Sequence, residues 1–313
     1  MAALRTVFMG TPDFAVPCLN MLVNENYDIA SVVTQPDRPK GRGQKLAFSP
    51  VKEAALAYNL TLWQPAKIKS DEFIRQLEEA RPDVIVVVAF GQLLPKKILA
   101  LPPLGCINVH ASLLPEYRGA APIHWAVING ETQSGITTMY MDAGLDTGDM
   151  ILKAEIPIAP DDTTGRLHDK LKELGAKLLS ETLKLMALGK VPRQAQDNSK
   201  ATYAPLLTRE IEKINWQMPA PSIHNLVRGL NPWPGAYCCH NEKKLKVWQT
   251  KVANTDSMCS MPGRIAALGS EGIIVETGKG LLELVEVQPE SKRKMKAWEC
   301  VRGYCLDVGT FLG

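Results

Sequence analysis

Six consecutive apolar residues, Val84-Ile85-Val86-Val87-Val88-Ala89, constrain this chain more than any other feature. A run this short and this rich in β-branched side chains reads as a strand, and a strand with no polar face must be buried on both sides. Burial on both faces calls for a parallel sheet covered by helices, and the flanking pattern supplies them. Strand candidates Leu4–Met9, Ile29–Thr34 and Cys106–His110 alternate with helical stretches Val51–Tyr58 and Asp71–Ala80. That alternation predicts an open α/β sheet, mostly parallel and Rossmann-like. Two more strands, Gly135–Met141 and Ile151–Ile158, follow. Then Leu167, Leu171, Leu174, Leu178 and Leu185 recur at helical spacing. They predict a long helix over Thr163–Leu188, capped by Asp162 or Thr163 and ended by Gly189.

Beyond this helix the pattern changes. Residues 190–207 lose periodicity, carry Pro192 and Pro205, and read as a linker lying against the first domain. After a short helical piece around Ser222–Leu230 come short strands punctuated by glycine: Lys244–Lys251, Gly263–Leu268, Gly272–Glu276 and Leu281–Gln288. This predicts a small OB-like β-barrel over 208–313, behind a first domain over 1–189. A length of 313 residues suits two domains better than one core. From Thr208 onward 14 Lys and Arg face 11 Asp and Glu, whereas the first 207 residues hold 22 of each, so the excess positive charge sits in the second domain. It hints at an acidic partner. No run is long and apolar enough to span a membrane, and the opening residues read as a first strand in place of a signal peptide. The seven cysteines are scattered, odd in number and without CxxC spacing, which predicts reduced thiols in a cytoplasmic protein and no zinc site.

Three segments could carry chemistry. Asn108-Val109-His110 ends a buried strand, where residues two apart share a face and where open α/β sheets bind ligands. Met141–Asp149 places Asp142, Asp146 and Asp149 with two glycines between two strands. Such a segment can be a hairpin loop, a cation-binding loop, or the acid–base partner of the strand-end histidine; EF-hand spacing is absent. Thr34–Ser49 is a long loop with Arg38, Lys40, Arg42 and Lys45 within eight residues, a solvated surface or a grip on phosphates. No GxxxxGK[ST] occurs, and Gly10-Thr11-Pro12-Asp13-Phe14 lacks the dinucleotide fingerprint GxGxxG.

Together, FMGTPDFA, TQPDRPKGRG, VVVAFGQLLP, GCINVHASLLPEYRGAAPI, GITTMYMDAGLDTGDM and NPWPGA give a chain that, over nearly its whole length, resembles the methionyl-tRNA formyltransferase family. The segment Lys292–Gly313 departs most from that pattern. The resemblance implies a formyltransferase domain followed by a tRNA-binding barrel. It implies 10-formyltetrahydrofolate as co-substrate, no metal, and initiator methionyl-tRNA as acceptor. Asn108, His110 and Asp146 would be catalytic, with Asp142 and Asp149 shaping the loop. Ser112, Leu113, Leu114 and Pro115, with Phe90, Gln92 and Leu93, would hold the folate. Arg38, Lys40, Arg42 and Lys45 would reach the tRNA, helped by Lys243, Lys244, Lys292, Arg293, Lys294 and Lys296. The expected enzyme is a cytoplasmic monomer with no membrane association.

Overall fold

A computed structural model describes residues 4–40, 45–257, 260–304 and 306–313, excluding the side chains of residues 40, 45, 46 and 302. The chain divides into two compact units. The first holds Met1–Ala120, Gln133–Ile156 and His168–Ala204, and the second Ala121–Thr132, Pro157–Leu167 and Pro205–Gly313.

In chain order the elements up to the end of the first unit are β1 (Arg5–Gly10), α1 (Val16–Asn24), β2 (Asp28–Val33), β3 (Arg38–Lys40), β4 (Lys45–Ala47), α2 (Pro50–Ala57), β5 (Leu62–Trp63), α3 (Asp71–Ala80), β6 (Val84–Val88), α4 (Lys96–Leu99), β7 (Cys106–His110), β8 (Arg118–Gly119), α5 (Pro122–Ile128), β9 (Gln133–Tyr140), β10 (Met150–Pro157), α6 (Thr164–Ala187) and β11 (Tyr203–Ala204). The main sheet runs β10-β9-β7-β6-β1-β2-β5. From β5 to β7 its pairs are parallel, and β9 runs antiparallel to β7. All five residues of β6 are buried, as the apolar run requires. Each such side chain contributes roughly 1.5–3 kcal/mol when removed from water.

Strand alternation separates the two sides of the sheet. Val7, Met9, Ile85, Val87 and Cys106 pack with Phe73, Ile74 and Leu77 of α3 and Ile98 of α4. A Cβ on Gly175 of α6 would stand 3.2 Å from Val109 and 3.7 Å from Ile136, so α6 closes against the other side. The period of two places Asn108 and His110 on the face of α3 and α4. Ser70 caps α3 by accepting from Phe73 N at 3.3 Å, a bond worth about 1 kcal/mol. Thr163, not Asp162, caps α6 by accepting from Arg166 N, while Asp162 accepts from Ala159 N. Gly189 leaves the helix at φ +66°.

Two expectations change. The basic segment after β2, read as a long loop, contains the antiparallel pair β3–β4 with Lys40 opposite Lys45. Residues 190–204 are likewise not structureless, since β11 pairs in parallel with β8 and ties this stretch to the loop after β7. Two-residue strands lie below the length at which periodicity gives a signal.

In the second unit α5 meets α7 (Ala220–Gly229); a Cβ on Gly229 would strike the Ile128 side chain at 2.4 Å. β12 (Tyr237–His240), β13 (Lys243–Asn254), β14 (Ile265–Leu268), β15 (Ile273–Glu276), β16 (Leu281–Pro289) and β17 (Met295–Lys296) form one antiparallel sheet in the order β12-β13-β16-β15-β14, with β17 beside β16. The C-terminal helix α8 (Ala297–Tyr304) follows. Register shifts at Val247/Gln249, Gln249/Thr250 and Val252/Asn254 bend β13 along β16, curling the sheet into a half-barrel of the small OB-like kind expected. Its core holds Ile223, Val227, Val247, Ile273, Leu282 and Leu284.

Candidate active site

The site is built on the tip of β7. His110 is 6% exposed, and its Nε2 lies 3.0 Å from the carbonyl oxygen of Tyr117. A carbonyl only accepts, so Nε2 carries the proton and donates it there. That leaves Nδ1 as the nitrogen that can exchange a proton, and it faces Asp146 Oδ2 at 3.7 Å. The distance is longer than a hydrogen bond and leaves the imidazole free to serve a third group. Asn108, one strand step back on the same face, is half-buried, and its side chain has no hydrogen-bond partner among the described residues.

Asp146 reaches the site from the turn between β9 and β10. Its backbone is in the left-handed region at φ +53°, a conformation Asp tolerates better than most residues. Oδ2 accepts the Gly119 N–H at 2.8 Å, and Gln196 Nε2 donates to the backbone carbonyls of both Asp146 and Gly148 at 2.8 Å. The other two acids of the loop turn elsewhere. Asp142 accepts from Gly144 N and Thr147 Oγ1, closing the loop on itself, and Asp149 pairs with Arg193 at 3.2 Å. Arg193 also lies 4.2 Å over the Tyr140 ring. Burial first, and then Asp149 against the opposing pull of Arg193, pushes the Tyr140 hydroxyl above its ordinary value.

The expected folate residues divide by exposure. Leu93 is 70% exposed, and with Leu94, Met139, Met141 and Asp142–Asp146 it lines a crevice beside the acid turn. Gln92 donates to Gln35 Oε1. Phe90, by contrast, is 2% exposed with its ring in the core, and its backbone oxygen accepts from Thr11 and Gln35. The turn after β7 is internally braced: Ser112 Oγ donates to Glu116 O, while Thr137 Oγ1 donates to Ser112 O and accepts from Leu114 N. Leu114 is fully buried with Met139 and Met150, whereas Leu113 and Pro115 are half-buried. Met139, Met141 and Leu145 were missed as lining residues; their signal was an apolar side chain on either edge of an acid-rich turn.

Arg38 is exposed on β3, the backbones of Lys40 and Lys45 pair across the hairpin, and Arg42 lies outside the described residues. Elsewhere Asp13, His168 and Asp169 bring three potential metal ligands within 4.8 Å of one another. Lys172 Nζ already stands 2.8 Å from Asp169 and 4.0 Å from Asp13, so an ammonium supplies the positive charge there.

Comparison with known proteins assigns this open sheet, with its Asn-x-His strand tip, facing Asp turn and following half-barrel, to the formyl transferases. The family model "Formyl transferase" matches residues 4–183, and "Formyl transferase, C-terminal domain" matches residues 206–305. Methionyl-tRNA formyltransferase of Clostridioides difficile (strain 630) is 51% identical over 310 residues, covering 99% of this chain and all of that one. That of Acetivibrio thermocellus is 52% identical over the same span. The chain belongs to the methionyl-tRNA formyltransferase family. Among solved structures, the sugar 3N-formyl transferase WlaRD, described with dTDP and 5-N-formyl-THF, aligns with a TM-score of 0.67 at 20% identity over 93% of this chain and 99% of its own. HypX from Aquifex aeolicus, in complex with tetrahydrofolic acid, aligns at 0.66 and 15% identity over 98% of this chain and 48% of its own. At these identities the likeness is one of fold.

Proposed function

We infer that this chain transfers the formyl group of 10-formyltetrahydrofolate to the α-amine of methionine esterified to initiator tRNA. The observation that carries this reading is the convergence of His110 Nδ1 and Asp146 Oδ2 at 3.7 Å next to an uncommitted Asn108 amide. The crevice lined by Leu93, Leu94, Met139 and Met141 borders the same acid turn and offers the folate an apolar wall beside the reacting groups. When bound there, the folate supplies an activated formyl group.

The protein's part is to hold charge and move protons. Asn108 donates its amide N–H to the formyl oxygen as negative charge grows on it. His110 in its imidazolium form donates from Nδ1, because Nε2 is tied to Tyr117. One donor of this kind lowers the barrier by roughly 2.7–4 kcal/mol. Asp146 takes the proton shed by the attacking amine, directly or through a water, and the folate nitrogen gains a proton as its bond to the formyl carbon breaks and tetrahydrofolate leaves. Its Oδ1 has no hydrogen-bond partner among the described residues, whereas Oδ2 is held by Gly119. Proton transfer of this kind typically contributes about 10²–10⁴-fold.

Arg38, exposed on β3, would provide a cation for the acceptor stem together with Lys40, Arg42 and Lys45 of the same basic stretch of sequence. Residues 208–313 add Lys243, Lys244, Lys292, Arg293, Lys294 and Lys296. Lys294 lies 3.7 Å over the Trp248 ring and Lys244 4.2 Å over Tyr237, which fixes two of these charges in place. The reading places the enzyme in the cytoplasm as a monomer. No helix among the described residues is long and apolar enough to cross a membrane.

The test is an assay of purified protein with formyl-folate and either charged initiator tRNA or a free small amine. Formyl-methionyl-tRNA from the wild type, and its loss in His110→Ala, are expected. Turnover on the small amine alone overturns the acceptor assignment.

A further inference from the structure

The geometry points to Gln196 as a positioning residue that aims Asp146, an inference that rests on Asp146 being the proton acceptor. Gln196 lies fifty residues beyond Asp146, in the extended stretch after α6, and touches none of the atoms expected to react. Its carboxamide is held at both ends. Oε1 accepts from Arg118 Nε at 3.0 Å and Nη2 at 2.7 Å, and Nε2 donates to Asp146 O and Gly148 O.

The orientation of that amide is dictated by chemistry. A guanidinium has donors and no acceptor, so only the oxygen of Gln196 can face Arg118. The amino group must then face the turn. Arg118 is itself fixed, being 2% exposed and also bonded to Asn198 Oδ1 at 2.8 Å. The guanidinium therefore orients the amide, and the amide pins the carbonyls of Asp146 and Gly148 on either side of Thr147.

Those two backbone positions decide where the carboxylate points. Asp146 sits at φ +53°, which an L-residue leaves readily unless its neighbours are held. Gly148 is packed so closely on Tyr140 that a Cβ there would stand 1.9 Å from the Tyr140 oxygen. Releasing the Asp146 carbonyl frees the residue to relax toward right-handed dihedrals, which swings its Cβ and moves Oδ2 away from Nδ1 of His110. The same stretch bears on His110 as well. Thr202 Oγ1 accepts the Tyr117 N–H at 2.8 Å, and Tyr117 O is the group that receives the imidazole. Residues 196–202 thus hold both catalytic side chains from behind.

Two variants separate positioning from mere structural support. Gln196→Glu keeps an acceptor for Arg118 but loses both donors to the turn, and Gln196→Met loses everything at similar volume. Each is measured for kcat, for KM toward formyl-folate and charged tRNA, and for thermal midpoint, in the wild-type and in an Asp146→Asn background. In both variants kcat should fall by about 10–100-fold, the scale of a misplacement near 1 Å, while both KM values stay within about threefold. Gln196→Glu should melt close to the wild type. In the Asp146→Asn background neither variant should lower kcat further, because the group they aim is already disabled. Wild-type kcat in Gln196→Glu overturns the proposal, and so does a full loss repeated in the Asp146→Asn background. If Asp146→Asn alone keeps wild-type kcat, the reading of Asp146 fails and takes the proposal with it. If Asp146→Asn is inactive while both Gln196 variants are normal, only the positioning role falls.

Discussion

Replacing Asp146 by Asn changes one atom and one charge at the centre of the site. The amide can still accept the Gly119 N–H that Oδ2 now receives at 2.8 Å, so the turn should keep its shape. What goes is the negative charge 3.7 Å from His110 Nδ1. At that separation and an effective dielectric near 20, a carboxylate stabilises an imidazolium by about 4–5 kcal/mol. That figure is a ceiling, because Asp146 is 16% exposed and water screens part of it. A tenfold rate change corresponds to about 1.4 kcal/mol, so up to roughly three decades can be lost through His110 alone. Loss of the proton acceptor itself removes about 10²–10⁴-fold, and the two losses overlap because they act on one transfer. The expected outcome is a fall in kcat of about 10²–10⁴-fold with a thermal midpoint within a few degrees of the wild type. Single-turnover formylation at saturating donor and charged tRNA reads it directly, since product release then plays no part. Turnover within tenfold of the wild type would refute the assignment of the proton to Asp146.

Other consequences follow from charge and burial. Arg38→Ala should raise KM for charged tRNA and flatten the dependence of KM on salt, since each lost phosphate contact lowers the salt slope by about one; an unchanged slope removes the hairpin from the tRNA contacts. The Ser180 hydroxyl at 2.6 Å, with Lys184 beside it, holds the Glu25 carboxylate below its ordinary 4.5. A depressed folded value stabilises the protein above the unfolded value and is lost as pH falls through the folded one. Glu25→Gln should therefore lower the thermal midpoint by a constant amount above pH about 6, and the deficit should shrink in acid; a deficit independent of pH contradicts the pairing. Burial pushes the thiols of Cys18, Cys106 and Cys238 up to about 12, and that of Cys300 to about 11. Alkylation of the native protein at neutral pH followed by peptide mass mapping should spare these four, and early modification of any of them shows that its burial is wrong.

Much of the catalytic unit was legible in the order of residues because its signals are local. The apolar run at Val84–Val88 can be satisfied only by burial on both faces, and it is. The bounds of β7 and α3 were those read from the sequence, as pattern and punctuation coincide there. Asn108 and His110 were known to share a face from the period of a strand alone. The hairpin at β3–β4 escaped notice because Arg-Pro-Lys and Lys-Leu-Ala carry no alternation, and its ladder is a contact between strands, not a property of either one. The resemblance puts Phe90 with Gln92 and Leu93 at the folate, and the sequence does not show that its ring packs into the core beside Leu94 while Leu93 stays exposed. Which way a loop side chain points depends on left-handed steps such as Ala89 at φ +46° and Gly91 at φ +84°.

The sequence by itself therefore determined a covered parallel sheet, a strand tip bearing Asn108 and His110, and an acid-rich turn somewhere beyond it. The family resemblance already favoured Asp146, but only the tertiary structure showed its carboxylate facing His110 while those of Asp142 and Asp149 turn elsewhere, His110 Nδ1 as the ring nitrogen not taken up by Tyr117, and Gln196 and Arg118 bonded behind the turn. The physical reason is range. Strand and helix patterns arise from neighbours a few residues apart, whereas the direction of a carboxylate is set by hydrogen bonds from chain segments 27 and 50 residues away, which meet only once the fold has closed.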